Sequence, residues 1–432
     1  MSTIAGKFFR SPSFKFMIIG VLSLLLLIPA AMIRGLINER EERNAEAQIE
    51  ISDGWSLSQT ISGPFLSIPT AKRNTFHLMP EKLDISGNAS PIEKKRGIFT
   101  SVVYTSQLKI TGSFNLNNEQ LKQVLAEYSK VEKAYLSIGL EDLRGIGNQT
   151  SFLLNGQSYE IEPGLYNNDL IDKGIHIPVS ISKLKETGKL EFWIDLELKG
   201  STDLFFTPVG KKTTVNLSST WPDPSFTGKF LPDEKQIDTR GFSASWAVNY
   251  MNRNFPQQWF NNAHSLESSS FGVYFLLPVD HYQKSERSVK YAFMFIALSF
   301  LVFFLTEIIL KIRIHPIQYL LVGFALIIFY SLLISFSEHL GFNTAYYIST
   351  AAVTLLIGFY MKSSTGSSKV GVISSLLLLA LYGFLFTTIQ LQELSLLMGS
   401  IGLFIILMVI MIVSRKVNWY RQDAEGQKGT DQ

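Results

Sequence analysis

The sequence predicts a polytopic α-helical membrane protein of six transmembrane helices, with a large exported β-rich, β-sandwich-like domain inserted between helices 1 and 2. Two observations predict it. Six segments reach the roughly 20 apolar residues that cross a hydrocarbon core as helix: residues 16–33, 291–310, 317–336, 341–361, 370–391 and 394–414. Between the first and second, residues 34–288 show period-2 alternation and frequent turn residues instead. Whole-chain averages conceal this split, since the 432 residues are 46% hydrophobic and 17% charged, with a net charge of +3. So weak a positive balance argues against a nucleic-acid partner. The absence of Cys excludes disulfides, zinc–thiolate sites, iron–sulfur clusters and a Cys nucleophile. The exported domain must therefore be held by core burial.

Residues 1–15 carry Lys7, Arg10 and Lys15 ahead of the first span, which keeps the N-terminus in the cytoplasm. That span, 16–33, could be a cleaved signal peptide. Its apolar run is longer than a signal core, and Ile28-Pro29-Ala30-Ala31-Met32-Ile33 offers no clean small-x-small cleavage site, so it is read as an uncleaved signal anchor. Residues 33–51 are charged and helix-forming, a stalk expected to end near Asp53-Gly54. Strand alternation follows: Leu190, Phe192, Ile194, Leu196 and Leu198 share one face, as do Leu108, Ile110, Gly112 and Phe114, and Phe242, Ala244, Trp246 and Val248. Gly87-Asn88, Asn155-Gly156, Asn167-Asn168 and Pro222-Asp223-Pro224 read as turns. Residues 118–133 read as the one clear helix, with Leu121, Val124, Leu125 and Tyr128 on one side. Many short strands with one helix predict one or two sandwich lobes.

The last five spans form a bundle over 289–414, followed by a cytoplasmic tail, 415–432, whose end is expected to be disordered. Lys311 and Arg313, Lys362 and Lys369, and Arg415, Lys416 and Arg421 mark the inner loops, leaving the outer turns without Lys or Arg. Within the spans Glu307 is the single charge. It is expected to snorkel beside Lys311 as an i,i+4 pair, with a buried functional carboxylate as the alternative. The small pairs Ala345/Ser349 and Ser395/Gly399 are expected to let helices approach closely.

Candidate sites are few. No G-x-S-x-G, H-E-x-x-H, Walker loop or G-x-G-x-x-G occurs. Glu338-His339, in the outer turn between the third and fourth spans, could ligate metal, but two adjacent ligands are too few, and a polar hairpin at headgroup level is the simpler reading. Glu338 is expected to pair with Lys284, Arg287 or Lys290, which follow Pro278-Val279-Asp280, and so to act as a strut. Asp142 and Arg144 could be an acid beside a cation, though such a pair more often stabilises a tight turn. Trp221 could line a groove or pack under its Pro-rich corner. No catalytic residue, metal ligand or cofactor is assigned.

Several longer stretches carry a resemblance: Gly63-Pro64-Phe65-Leu66 with Ile68-Pro69, Asp142-Leu143-Arg144-Gly145-Ile146, Trp221-Pro222-Asp223-Pro224-Ser225-Phe226, Pro278-Val279-Asp280 with Tyr282, HPIQYLLVG, and Leu381 to Phe386. Together they make the chain similar to the CreD family of bacterial inner-membrane proteins described as supporting cell envelope integrity. The resemblance implies a plasma-membrane location with a periplasmic domain and an envelope-stress role under two-component control, linked to resistance phenotypes. It implies no reaction and no ligand. The expected partners are the lipid bilayer and an unidentified envelope component or membrane protein. Three functions compete: a non-enzymatic protein that binds or scaffolds an envelope component, a transporter or channel for a lipid-like or neutral solute, and an envelope hydrolase using two carboxylates.

Overall fold

The structure, a computed structural model, describes residues 12–70, 74–127, 132–186, 188–277, 281–310, 312, 314–391 and 395–415. The chain divides into two units, one of Met1–Arg43 with Val279–Gln432 and the other of Asn44–Pro278. Ten helices are described: α1 Pro12–Leu25, α2 Leu27–Asp53, α3 Glu119–Glu127, α4 Ile181–Glu186, α5 His281–Lys290, α6 Ala292–Ile309, α7 Pro316–Leu340, α8 Phe342–Thr365, α9 Ser368–Gln390 and α10 Ser395–Ser414.

In the second unit, two sheets share one core. The nine-stranded sheet runs Pro224–Gly228, Phe271–Phe275, Asp203–Thr207, Gln59–Pro69, Lys133–Gly139, Gly174–Ser180 and Glu162–Pro163, with Thr75–Leu78 and Gln258–Phe260 branching from Gln59–Pro69. The eight-stranded sheet runs Glu234–Asp238, Gly241–Asn249, Lys212–Ser219, Lys82–Arg96, Phe99–Asn115, Lys189–Ser201, Ser151–Leu154 and Gln157–Tyr159. Strand alternation is the cause: Lys189–Ser201 buries Leu190, Phe192, Ile194, Leu196 and Leu198 and turns Glu191 and Trp193 outward. These join Leu136, Ile138 and Ile177 of the other sheet in a single hydrophobic cluster, so there is one sandwich lobe.

Three expectations change here. Gly87-Asn88 is not a turn but lies mid-strand in Lys82–Arg96. A Cβ on Gly87 would stand 2.1 Å from the Gln107 carbonyl, so this glycine permits close strand approach. The helix expected over 118–133 is described as Glu119–Glu127, and Lys133 already belongs to a strand. The short α4 gave no periodic signal because it spans barely two turns. Asn155-Gly156 does turn a hairpin, with φ of 45° and 77° at the two positions, the pattern of a type I′ turn.

In the first unit, five stretches are long and apolar enough to cross a membrane: 15–53, Ala292–Ile309, Pro316–Leu340, Phe342–Thr365 and Ser368–Gln390. The sixth expected span corresponds to α10, whose apolar stretch is the shorter Leu397–Val409. Large apolar side chains such as Leu355 and Phe359 point outward, 70% and 73% exposed, as lipid-facing residues do. Pro316 starts α7 under a capping box, with Ile317 N donating to His315 Nδ1 at 3.3 Å and His315 N donating to Gln318 Oε1 at 2.9 Å. The closest helix approach is not at the expected pairs. Ala345 and Ser349 are buried, but a Cβ on Gly399 would meet only Thr388, at 4.0 Å. Instead α8 and α9 meet at Gly358 and Gly371, where a Cβ on Gly371 would stand 2.7 Å from the Gly358 carbonyl.

Candidate functional site

The outward half of the strand alternation assembles a polar furrow on the eight-stranded sheet. Paired positions on neighbouring strands share a face, so register builds two rows across six strands. One runs Glu234, Ser245, Asn216, Ser86, Lys109 and Asp195; the next runs Gln236, Ser243, Ser218, Asn88, Gln107 and Glu197. With strands about 4.8 Å apart, each row extends roughly 24 Å. At the Glu234–Asp238 end the surface dips into a cavity of about 880 Å³, lined by Ser86, Asn216, Ser218, Gln236, Ser243 and Ser245 among others. Small hydroxyl and amide side chains leave this space open because none reaches far above the sheet.

Charge gathers toward the two ends: Asp233, Glu234 and Lys235 also line the cavity, and Lys109, Asp195 and Glu197 close the rows. Asp233 Oδ2 accepts from Ala247 N at 2.7 Å, which fixes the edge strand. Beside the rows, Asp84 is bound by Lys82 and Thr214. Burial alone would raise its carboxyl, but those two hydrogen bonds hold it below the ordinary value. At the far end the exposed Trp193 ring lies 4.8 Å below Lys109 Nζ, and its Nε1 donates to Asp195 Oδ2 at 3.2 Å. The arrangement presents many weak donors and acceptors plus one aromatic plate. Among the described residues, no three His, Asp or Glu side chains gather as a metal site.

The residues singled out from sequence lie elsewhere. Asp142 is buried and receives Leu57 N at 3.0 Å, Arg144 N at 3.0 Å and Arg144 Nη2 at 2.7 Å, while Arg144 Nη1 donates to Asp53 O at 2.8 Å. The Arg144 bonds, opposed by burial and helped by the Leu57 amide, depress the Asp142 carboxyl to about 2. This is a turn clamp between the end of α2 and the first strand. Trp221 is 8% exposed, and its Nε1 donates to Leu276 O at 2.9 Å, so it packs under its corner and lines no groove.

Glu338 does face a cation, but not one of those expected. Arg40 Nε stands 3.8 Å away, and Tyr282 OH donates to Glu338 Oε1 at 3.3 Å. Lys284 turns instead to Gln390 Oε1 at 3.2 Å, Lys290 pairs with Glu286 at 3.2 Å, and Arg287 is half-buried in the last turn of α5. Geometry explains the substitution: α2 continues past the apolar segment and brings Arg40 alongside. His339 is exposed in the last turn of α7, a favourable place for an imidazole by the helix dipole. Asp280 lies outside the described residues. Glu307 is 9% exposed and binds Lys15, while Tyr319 OH donates to it at 3.0 Å and Ile314 N at 3.2 Å. It is thus a buried junction between α1, α6 and the approach to α7, where a snorkelling pair was expected; Lys311 lies outside the described residues.

Ser86, Asn216, Ser218, Gln236, Ser243 and Ser245 escaped the sequence reading. Their only signal was being the polar partners in alternating strands, and without register they could not be seen to adjoin.

The sequence profile described as "Inner membrane protein CreD" matches residues 11–420. Inner membrane protein CreD of Escherichia coli (strain K12) is 32% identical over 414 residues, covering 92% of this chain and 91% of that protein.

Proposed function

The chain belongs to the CreD family of inner membrane proteins, and from that premise we propose that it is a non-enzymatic envelope protein whose sandwich holds an envelope component along the polar furrow. In this reading six spans cross the membrane with both termini in the cytoplasm, and the domain between the first two spans faces the periplasm. The observation that carries it is the pair of six-residue rows, uncharged across the three strands Gly241–Asn249, Lys212–Ser219 and Lys82–Arg96 and flanked at one end by the exposed Trp193. A glycan strand matches this chemistry, since it offers many hydroxyl and amide groups at intervals and an apolar sugar face to stack on the indole. Long and shallow, with its carboxylates at the ends of the rows and only Lys109 and hydroxyl and amide side chains between, the furrow suits retention of a polymer.

The test uses the full chain in lipid nanodiscs with purified cell-wall glycan strands. Asn216→Leu with Ser245→Leu, both on the sheet surface, should weaken binding at least tenfold while the melting temperature stays unchanged. Absence of binding by the unaltered protein, or equal binding by the variant, defeats the reading. Reporter fusions after Gly200 and within 362–369 should report outside and inside respectively.

One observation favours a second reading, passage of a small neutral solute through the bundle. The hydroxyls of Ser299, Tyr330, Ser349, Thr354, Ser374 and Tyr382 are buried there without a hydrogen-bond partner, and hydroxyls in an apolar medium need one. Flux of water or a small polyol into proteoliposomes that falls in Tyr330→Phe with Tyr382→Phe would support it; flux equal to empty vesicles removes it.

A further inference from the structure

We propose that the bundle carries a built-in site for one anionic phospholipid of the surrounding bilayer, in the groove between α6, α9 and α10. The groove has a volume of about 530 Å³ and is lined by helical stripes, Val302 and Ile309 on α6, Ile373 and Leu377 on α9, and Gly402 and Val409 on α10. Its one lining hydroxyl, Thr306 Oγ1, already donates to the Val302 carbonyl at 2.8 Å, so the walls offer an occupant no polar group. Apolar walls of this kind gain dispersion contacts from an apolar occupant. In a bilayer the matter at hand to fill the groove is an acyl chain.

Charge at one end turns a lipid-filled gap into a selective site. Lys369 lies four residues before Ile373, one turn along the same stripe of α9. Arg415 follows α10 directly, beyond Val409, at the corresponding end of the groove. Both are exposed, and neither has an ion-pair partner among the described residues. Lys15, by contrast, is neutralised by Glu307. Two uncompensated cations beside the mouth of an apolar slot complement a molecule with a negative headgroup and a hydrocarbon tail. A cation near an anionic lipid surface contributes about fivefold in affinity.

Native mass spectrometry of the full chain released from nanodiscs of mixed anionic and zwitterionic phospholipids tests this. One anionic lipid per chain should be retained. Lys369→Gln should weaken retention about fivefold and Lys369→Gln with Arg415→Gln about 25-fold, with Lys369→Arg close to the unaltered protein. Ile406→Trp, which fills the groove without touching either charge, should displace the lipid; Leu377→Phe repeats the test with a smaller added volume, and melting curves identify any misfolded variant. Equal retention of zwitterionic lipid, retention unaffected by the double charge change, or retention intact in a folded groove-filling variant would each overturn the proposal.

Discussion

The two units treat buried hydroxyls in opposite ways. In the sandwich, Ser62 meets Thr207 at 2.7 Å, Ser67 meets His77 Nδ1 at 2.9 Å, Ser106 donates to Leu198 O at 2.9 Å and Tyr104 to Asp203 O at 2.7 Å. Among its described residues only Ser101 leaves a buried hydroxyl unpaired. In the bundle Ser285, Ser299, Tyr330, Ser349, Thr350, Thr354, Ser374 and Tyr382 all do. Strand register dictates which side chains adjoin, so most buried hydroxyls of the sandwich come with a fixed neighbour, although Trp246 Nε1, Trp259 Nε1 and Arg253 Nε are buried there without a partner among the described residues. Helices in the bundle are matched by shape: Gly323 accommodates Leu26, Gly371 accommodates Gly358 and Gly402 accommodates Phe384. The first core is specified by pairing, the second by fit.

Substitutions can break or sharpen this contrast. The largest effect is expected from Phe192→Ala in the sandwich, where Phe192 is 3% exposed and stacks on Phe114 at 5.5 Å. Removing it should cost about 3–5 kcal/mol, read as a lowered denaturation midpoint of the full chain. In the bundle the corresponding blow is added volume. Gly371→Leu should separate α8 from α9 and cost about 1–3 kcal/mol, measured by thermal melting in detergent. Gly371→Ala should already carry part of this cost, because its Cβ alone would meet the Gly358 carbonyl at 2.7 Å, and a cost-free Ala would show that close fit is not what this glycine provides.

Electrostatic pairing gives the next step down. Asp142→Asn should cost about 2 kcal/mol at neutral pH. Because the folded carboxyl is depressed to about 2 from an ordinary 3.8, its contribution is complete above about pH 4 and fades as pH falls toward 2; the stability difference between the unaltered protein and the variant should shrink across that window. His77 works in the same direction higher up. Burial lowers its affinity for a proton, and Asp169 at 3.3 Å offsets this only in part. The unfolded chain therefore takes up the proton first, and stability should fall as pH drops below about 6.5, an effect that His77→Gln abolishes. The smallest change is Tyr330→Phe. If the phenol has no partner, its loss should be neutral or stabilising by under about 1 kcal/mol, whereas a loss of 1–2 kcal/mol would reveal bound water in the bundle.

The same contrast explains what the sequence could and could not tell. Apolar length located five long apolar helices, and alternation located Leu190 to Leu198 and Phe242 to Val248, because both signals are local. Asp142 with Arg144 and the packing of Trp221 were likewise local. The partner of Glu338 was not: Arg40 is remote along the chain, and the nearby Lys284, Arg287 and Lys290 were the only cations a reading by proximity could propose. The contact of Glu307 with Lys15 was hidden for the same reason, since the two lie far apart along the chain. Gly87 was misread because a glycine that permits close strand approach and one that permits a turn look identical in isolation. The furrow depended on five strand registers at once, four of them antiparallel and one parallel, and no single strand announces it.

That parallel register has a consequence in time. Gln59 pairs with Leu204, and Lys82 with Lys212. A ribosome adding about 5–20 residues per second needs roughly 7–30 s between Gln59 and Leu204. The hairpin of Lys82–Arg96 with Phe99–Asn115 can close at once and then recruit Lys189–Ser201. The strand Gln59–Pro69, made first, waits longest on that side, an unpaired edge open to unwanted pairing until its neighbour arrives. Each sheet thus holds one early strand that waits on its far side, Gln59–Pro69 for Leu204 and Lys82–Arg96 for Lys212, and those two edges are what a holding factor would need to shield.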